Sequence, residues 1–172
     1  ILQFSKLKKQ RSFLNYFSQY KLINISAIFF VLFYNFSFFT NISKTYPFEG
    51  MNIIYILSTA ILLICLIIFL ITLFSSKYTT KPILIVLFIT SSFSAYFMDT
   101  YNIVIDDSMI RNSLQTNLSE SADLFSFKLV IYLFFLAFIP SYFIYKVDLD
   151  YKLFKQEMYA KFKTLFFSLA II

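Results

Sequence analysis

The chain has no histidine, no tryptophan, one cysteine, one glycine and three prolines in 172 residues. Each scarcity removes a kind of chemistry. Without His, with a lone Cys and with no grouped carboxylates, the sequence offers no donors at metal-ligand spacing, and no metal site is expected in it. Cys65 sits inside an apolar run and reads as a small apolar filler, since a single thiol forms no intrachain disulfide. With Gly50 as the only glycine, there is neither a phosphate-cradling loop nor a GxxxG packing face. Charge is sparse too, at 14% of residues. No catalytic residue is expected in this chain.

What is present is apolar. Hydrophobic residues make up 59% and aromatic residues 22%, against the ~45–50% apolar and ~25% charged of a typical soluble domain. The mean hydropathy is +0.74. These residues are massed in the blocks Leu22–Phe39, Ile53–Phe74, Ile83–Met98 and Leu129–Tyr145, and a fifth block starts near Leu165 and runs to Ile172. A bilayer core of ~30 Å needs about 20 helical residues. The blocks therefore predict an all-α integral membrane protein, a bundle of five transmembrane helices with the fifth cut short. The spans fall at about 22–40, 52–75, 82–100, 127–145 and 164–172. The third block is short and recruits Lys81–Pro82 at one end and Asp99–Tyr101 at the other. The stretch SSKYTTKP before it supplies a turn, and Pro82 suits a first helical turn. Pro140 kinks the fourth helix, which a membrane helix tolerates when a neighbour satisfies the freed carbonyl.

The basic residues orient the bundle. Lys6, Lys8, Lys9, Arg11 and Lys21 precede the first span, Lys77 and Lys81 lie between the second and third, and Lys146, Lys152, Lys155, Lys161 and Lys163 lie between the fourth and fifth. Those 12 share one side; Lys44, Arg111 and Lys128 fall on the other. The positive-inside rule makes the 12 cytoplasmic, with the N-terminus inside and the C-terminus leading outward. The chain begins without Met and stops inside an apolar block, so it is expected to be part of a longer protein whose remainder faces the periplasm or exterior. A cleaved signal peptide fits the first span poorly, because no small-residue cleavage site follows it. Topology accounts for the net charge of +6, and no nucleic-acid partner is implied.

Ionisable residues inside spans mark ion-coupled transporters, and the four complete blocks contain none. Asn24 and Asn35 in the first block are expected to hydrogen-bond a neighbouring helix. The first 21 residues mix cations with Phe4, Leu7, Phe13, Leu14 and Phe17, as a stretch lying on an anionic leaflet does. Val147, Tyr151, Phe154, Met158, Phe162 and Leu165 recur at steps of four and three, predicting an amphipathic interfacial helix that runs into the last span.

One polar island interrupts the apolar chain: MIRNSLQTNLSE, residues 109–120. Asp106, Asp107 and Ser108 before it are good helix N-caps. On the helix they would start, Ile110, Leu114 and Leu118 form one stripe and Asn112, Thr116 and Glu120 form another on the opposite side. This is a short amphipathic helix between the third and fourth spans. Its polar stripe has two explanations. A helix lying on a membrane must show polar groups to water. Alternatively, Asn112 and Thr116 donate to phosphate oxygens and Glu120 pairs with an ammonium, which together would receive a phosphoethanolamine head group. Spacing alone leaves both open.

Residues 94–125, SAYFMDTYNIVIDDSMIRNSLQTNLSESADLF, resemble the membrane domain of the lipid A phosphoethanolamine transferases, the family that includes the mobile colistin-resistance enzymes. YFMDTY, ID, MIRN, LQT and E stand at matching intervals, with Asn102 where many members have Gly. The resemblance implies an N-terminal domain of the bacterial inner membrane that anchors a periplasmic domain of alkaline-phosphatase-like fold beyond Ile172. There a zinc-activated Thr would take phosphoethanolamine from phosphatidylethanolamine and pass it to lipid A. Asn112, Thr116 and Glu120 match the family's residues that help hold the donor head group. Zinc would belong to the missing domain, not to this chain. The competing class is a non-enzymatic polytopic subunit, for assembly or signalling, whose island is only a surface helix.

Overall fold

A computed structural model describes residues 16–101, 126–150 and 154–172. Strand β1 (Tyr16–Ser18) leads into helix α1 (Gln19–Tyr34), and α2 (Phe36–Thr45) follows after a single residue. Helices α3 (Met51–Phe74) and α4 (Thr80–Tyr101) come next. Helix α5 (Phe127–Lys146) is π-helical over Leu133–Phe138, and strand β2 (Asp148–Asp150) and helix α6 (Phe154–Ile171) complete the chain.

Three helices among the described residues are long and apolar enough to cross a membrane: α3, α4 and α5, of 24, 22 and 20 residues. The pair α1 and α2 makes a fourth span if the 60° bend between them is counted as one crossing. Helix α6 carries Lys155, Glu157, Lys161 and Lys163 and does not reach that standard. The predicted surface helix of residues 109–120 lies outside the described residues.

The first span is not the single helix its apolar block suggested. Asn35 breaks it, at φ −115° and ψ 26°. The Asn35 side-chain amide donates to the Phe30 carbonyl at 3.0 Å, adding a bond back onto the last turn of α1. Its side chain thus serves its own helix, not a neighbour, while Asn24 stays exposed.

Helix α5 shows the opposite device, a break that a neighbour repairs. Pro140 has no N–H to give to the Leu136 carbonyl four residues back. The Tyr34 hydroxyl of α1 donates to that carbonyl instead. Ser92 of α4 donates to the Tyr132 carbonyl at 3.1 Å, just before the π-helical stretch. Carbonyls loosened in α5 therefore find hydroxyls on two other helices, as a solvent without water requires.

Packing places several small hydroxyl side chains inside beside large apolar ones, and leaves other large apolar side chains outside. Ser26, Thr72, Thr80 and Ser92 are buried, whereas Leu57, Ile61, Phe134 and Phe138 face outward. Small hydroxyl residues let helices approach closely where lipid gives no hydrophobic drive to associate. A core of Ile23, Phe30, Tyr34, Leu84 and Phe88 joins α1 to α4.

At one end of the bundle the all-helical expectation needs correction. Strands β1 and β2 pair in parallel, Phe17 opposite Leu149. The amphipathic helix expected from Val147 does not begin there. Val147 is extended, with ψ 126°, and the residues after it pair with β1. The two acids in Asp148–Asp150 are weak helix formers, and pairing satisfies the backbone that a helix would have satisfied. At this same end Lys161 Nζ donates to the carbonyls of Leu73 and Ser75 at 3.0 and 2.9 Å, and Lys81 Nζ donates to the Tyr145 carbonyl at 3.2 Å. Both lysines sit on helix C-termini, where the dipole is negative and carbonyls lack partners.

Tyr34→Phe should destabilise the protein by about 0.6–1.7 kcal/mol, the range of hydroxyl contacts between membrane helices. The loss should shrink in a Pro140→Ala background, where residue 140 regains its N–H. Thermal unfolding in detergent followed by circular dichroism checks this, and equal losses in both backgrounds would break the link between Tyr34 and Pro140.

Candidate functional site

The end of the bundle opposite the strands gathers polar groups from three helices. Helix α4 ends in AYFMDTY, which puts Tyr96 and Asp99 one turn apart on the same side. Tyr96 is buried at 1% exposure and Asp99 is half-buried. Asp99 Oδ1 accepts from the Ser37 backbone N–H at 3.2 Å and the Ser37 hydroxyl at 2.5 Å. Its other oxygen accepts from the Tyr132 hydroxyl at 3.2 Å.

Each bond has a local cause. Ser37 lies in the first turn of α2, where backbone N–H groups lack acceptors and the dipole is positive, so a carboxylate from another helix acts as an external cap. Tyr132 ends the regular first turns of α5, and its ring lies 5.7 Å from that of Tyr96. Lys128 Nζ stands 5.9 Å from the centre of the Tyr132 ring. Asp99 thus ties together α2, α4 and α5.

The same cluster fixes both ends of the segment that carries the polar island. Helix α4 stops at Tyr101, and α5 starts after Ser126. Tyr96 and Ser126 share a hydrogen bond of 2.7 Å, and Ser126 Oγ caps α5 by accepting from the Leu129 N–H at 3.2 Å. The last turns of α4 and the cap of α5 therefore meet at one buried tyrosine. Asn112, Thr116 and Glu120 lie between these anchors, outside the described residues.

Chemically the cluster can anchor and orient. Its hydroxyls have no imidazole beside them, because the chain has no His. No group of three metal-binding side chains occurs among the described residues. Sequence reasoning passed over Ser37, Asp99 and Tyr132 as a unit. The signal available was a carboxylate one turn after a Tyr at the end of an apolar run.

This architecture defines a polytopic helical membrane protein with a polar knot at one end. Residues 63–172 match the family model for phosphoethanolamine transferase EptA/EptB. The chain is 33% identical over 156 residues, 90% of its length, to phosphatidylethanolamine transferase Mcr-1 of Escherichia coli. It is 31% identical over 130 residues, 76% of its length, to phosphatidylethanolamine transferase Mcr-2 of Escherichia coli. Among solved structures it resembles the integral membrane lipooligosaccharide phosphoethanolamine transferase A from Neisseria meningitidis. The TM-score is 0.80 at 23% identity over 88% of this chain, a likeness of fold. The protein belongs to the phosphoethanolamine transferase EptA/EptB family. It spans under a third of those relatives, 29% of Mcr-1, 24% of Mcr-2 and 29% of the Neisseria chain.

Asp99→Ala should release α2 from α4 and α5, whereas Asp99→Asn keeps an acceptor and should hold them in part. Spin labels at the exposed Asn41 and Lys128 should give a narrow distance distribution in the native chain, a broad one in Asp99→Ala and an intermediate one in Asp99→Asn. An unchanged distribution in Asp99→Ala would show that the carboxylate is not what holds these ends.

Proposed function

We propose that this chain is the membrane anchor and donor-lipid-binding domain of a phosphoethanolamine transferase that moves phosphoethanolamine from phosphatidylethanolamine to lipid A. Family membership is the observation that carries the proposal. The two Escherichia coli relatives are named for phosphatidylethanolamine transfer and the Neisseria protein for lipooligosaccharide. The reacting groups belong to a periplasmic domain outside this chain, where zinc would activate a Thr hydroxyl; the absence of His here supports that division.

In this scheme Asn112 and Thr116 donate to the donor's phosphate oxygens and Glu120 pairs with its ammonium. The knot of Tyr96, Asp99 and Ser126 anchors the segment bearing them. Held this way, the head group is presented at the membrane boundary while its acyl chains remain in lipid. The protein is placed in the bacterial inner membrane with the strand pair cytoplasmic and the Asp99 end periplasmic. Supporting that orientation is the 12 to 3 split of basic residues between alternate ends of the apolar blocks in the sequence. The last residues of helix α6, from about 164, then start a truncated fifth span outward.

In the full-length protein, Asn112→Ala, Thr116→Ala and Glu120→Ala combined should abolish lipid A modification at normal expression, read by mass spectrometry of extracted lipid A. Glu120→Ala alone should weaken donor use, since removing one partner of a desolvated charge pair costs ~2–5 kcal/mol. Wild-type modification by the triple variant would leave residues 109–120 an interfacial helix and nothing more.

The orientation has its own test. In a Cys65→Ala background, a cysteine at Ser121 should react with an impermeant maleimide added to intact spheroplasts, and one at Lys155 should react only after lysis. The reverse pattern would invert the topology.

A further inference from the structure

Helices α1 and α5 both lean on α4 but scarcely touch each other. Between them runs a cleft of about 510 Å³. Phe88 of α4 forms its floor, Leu22 and Phe29 line one wall, and Phe135 and Phe143 line the other. Ser26 is the one polar side chain among its lining residues. The Tyr34 hydroxyl bridges α1 to α5 at Leu136, and Phe17 and Val147 line the end nearest the paired strands β1 and β2. The side remains open to the surroundings of the bundle.

We propose that this cleft is a binding site for one acyl chain of a glycerophospholipid from the leaflet at the strand-pair end, with its phosphate held between Lys21 and Lys146. At this depth the medium is hydrocarbon, and an apolar cleft open sideways into it is filled by hydrocarbon. The wall from Phe135 to Val147 is ~18 Å long at 1.5 Å per residue, about one leaflet of a ~30 Å core. One chain of one leaflet fits that length. A phosphate needs cations at the mouth, and each wall supplies one. Lys21 precedes Leu22 on α1 and Lys146 precedes Val147 on α5, both exposed. Lys146 Nζ rests 4.9 Å from the centre of the Tyr142 ring on the same helix. Asp148, also exposed, follows Val147 and leaves the three charges with a net positive sign.

Nothing in this proposal depends on the transferase reaction or on which side is cytoplasmic. Its site is also at the opposite end of the bundle from the Asp99 knot. Fixed walls distinguish it from ordinary lipid contact, because an aromatic floor and two helices flank one chain, whereas the outward face of α3 offers only a surface.

The chain reconstituted in phosphatidylethanolamine and phosphatidylglycerol vesicles, with a trace of phosphatidylglycerol bearing a photoactivatable diazirine on one acyl chain, provides the test. After irradiation, adducts at Phe29 and Phe143 should exceed those at the outward-facing Leu57 and Leu62 about tenfold, a preference of ~1.4 kcal/mol. Ile25→Trp, which narrows the cleft from a half-exposed position, should lower the cleft adducts to the level of α3 and leave the α3 adducts alone. Lys21→Glu with Lys146→Glu should reduce cleft labelling by the phospholipid probe but not by a diacylglycerol carrying the same chain. Equal labelling of the cleft and α3 would reduce the site to ordinary lipid contact. Crosslinks from the cleft to residues 1–15 would assign it to the chain's own N-terminal segment, and either result overturns the proposal.

Discussion

A backbone carbonyl or amide that loses its helical partner inside a bilayer has no water to turn to, and each such group left bare costs several kcal/mol. This constraint governs the bundle more than hydrophobicity does, because lipid tails are as apolar as the side chains facing them. The chain breaks its helices at Asn35 and around Pro140, and each break is met by a side chain. Asn35 answers for the end of α1, Asp99 for the start of α2, and Tyr34 and Ser92 for α5. Three of these four come from a different helix, so satisfying the breaks also assembles the bundle.

The same contacts arrange what the protein presents. Bending at Asn35 brings the start of α2 to Asp99, and Asp99 reaches Tyr132 on α5. Tyr96 holds Ser126 at the foot of the polar island. At the other end, the strand pair and the lysines on the ends of α3 and α5 draw the helix termini together. The bundle is thus held at both ends by polar groups and lined between them by small hydroxyls. Under the proposed function, such a bundle would anchor the segment that bears Asn112, Thr116 and Glu120.

Much of this was legible in the sequence. The blocks Ile53–Phe74 and Ile83–Met98 each lie within one helix, because massed apolar residues at bilayer length leave little choice. Pro140 announced that a carbonyl would need a partner, though not that Tyr34 would be it. The bend at Asn35 was hidden, since hydropathy over Leu22–Phe39 does not see a single polar residue change the backbone. Strands of three residues from opposite ends of the chain leave no periodic mark, and the two acids around Leu149 were absorbed into a helical pattern. The Asp99 knot depends on residues far apart in sequence, and only its Tyr96 and Asp99 spacing was local. Asn112, Thr116 and Glu120 were reached through resemblance to a family, because a polar stripe on a surface helix has the same spacing whether it binds a head group or faces water.

Amide hydrogen exchange on the chain in lipid nanodiscs reports most directly on the central claim, that side chains close the breaks. If they do, the amides of Ser37–Phe39 and of Leu133–Phe138 exchange as slowly as those in the middle of α3 and α4. Fast exchange at those two stretches, with α3 and α4 protected, would mean that the breaks stand open and that something other than these side chains holds the bundle together.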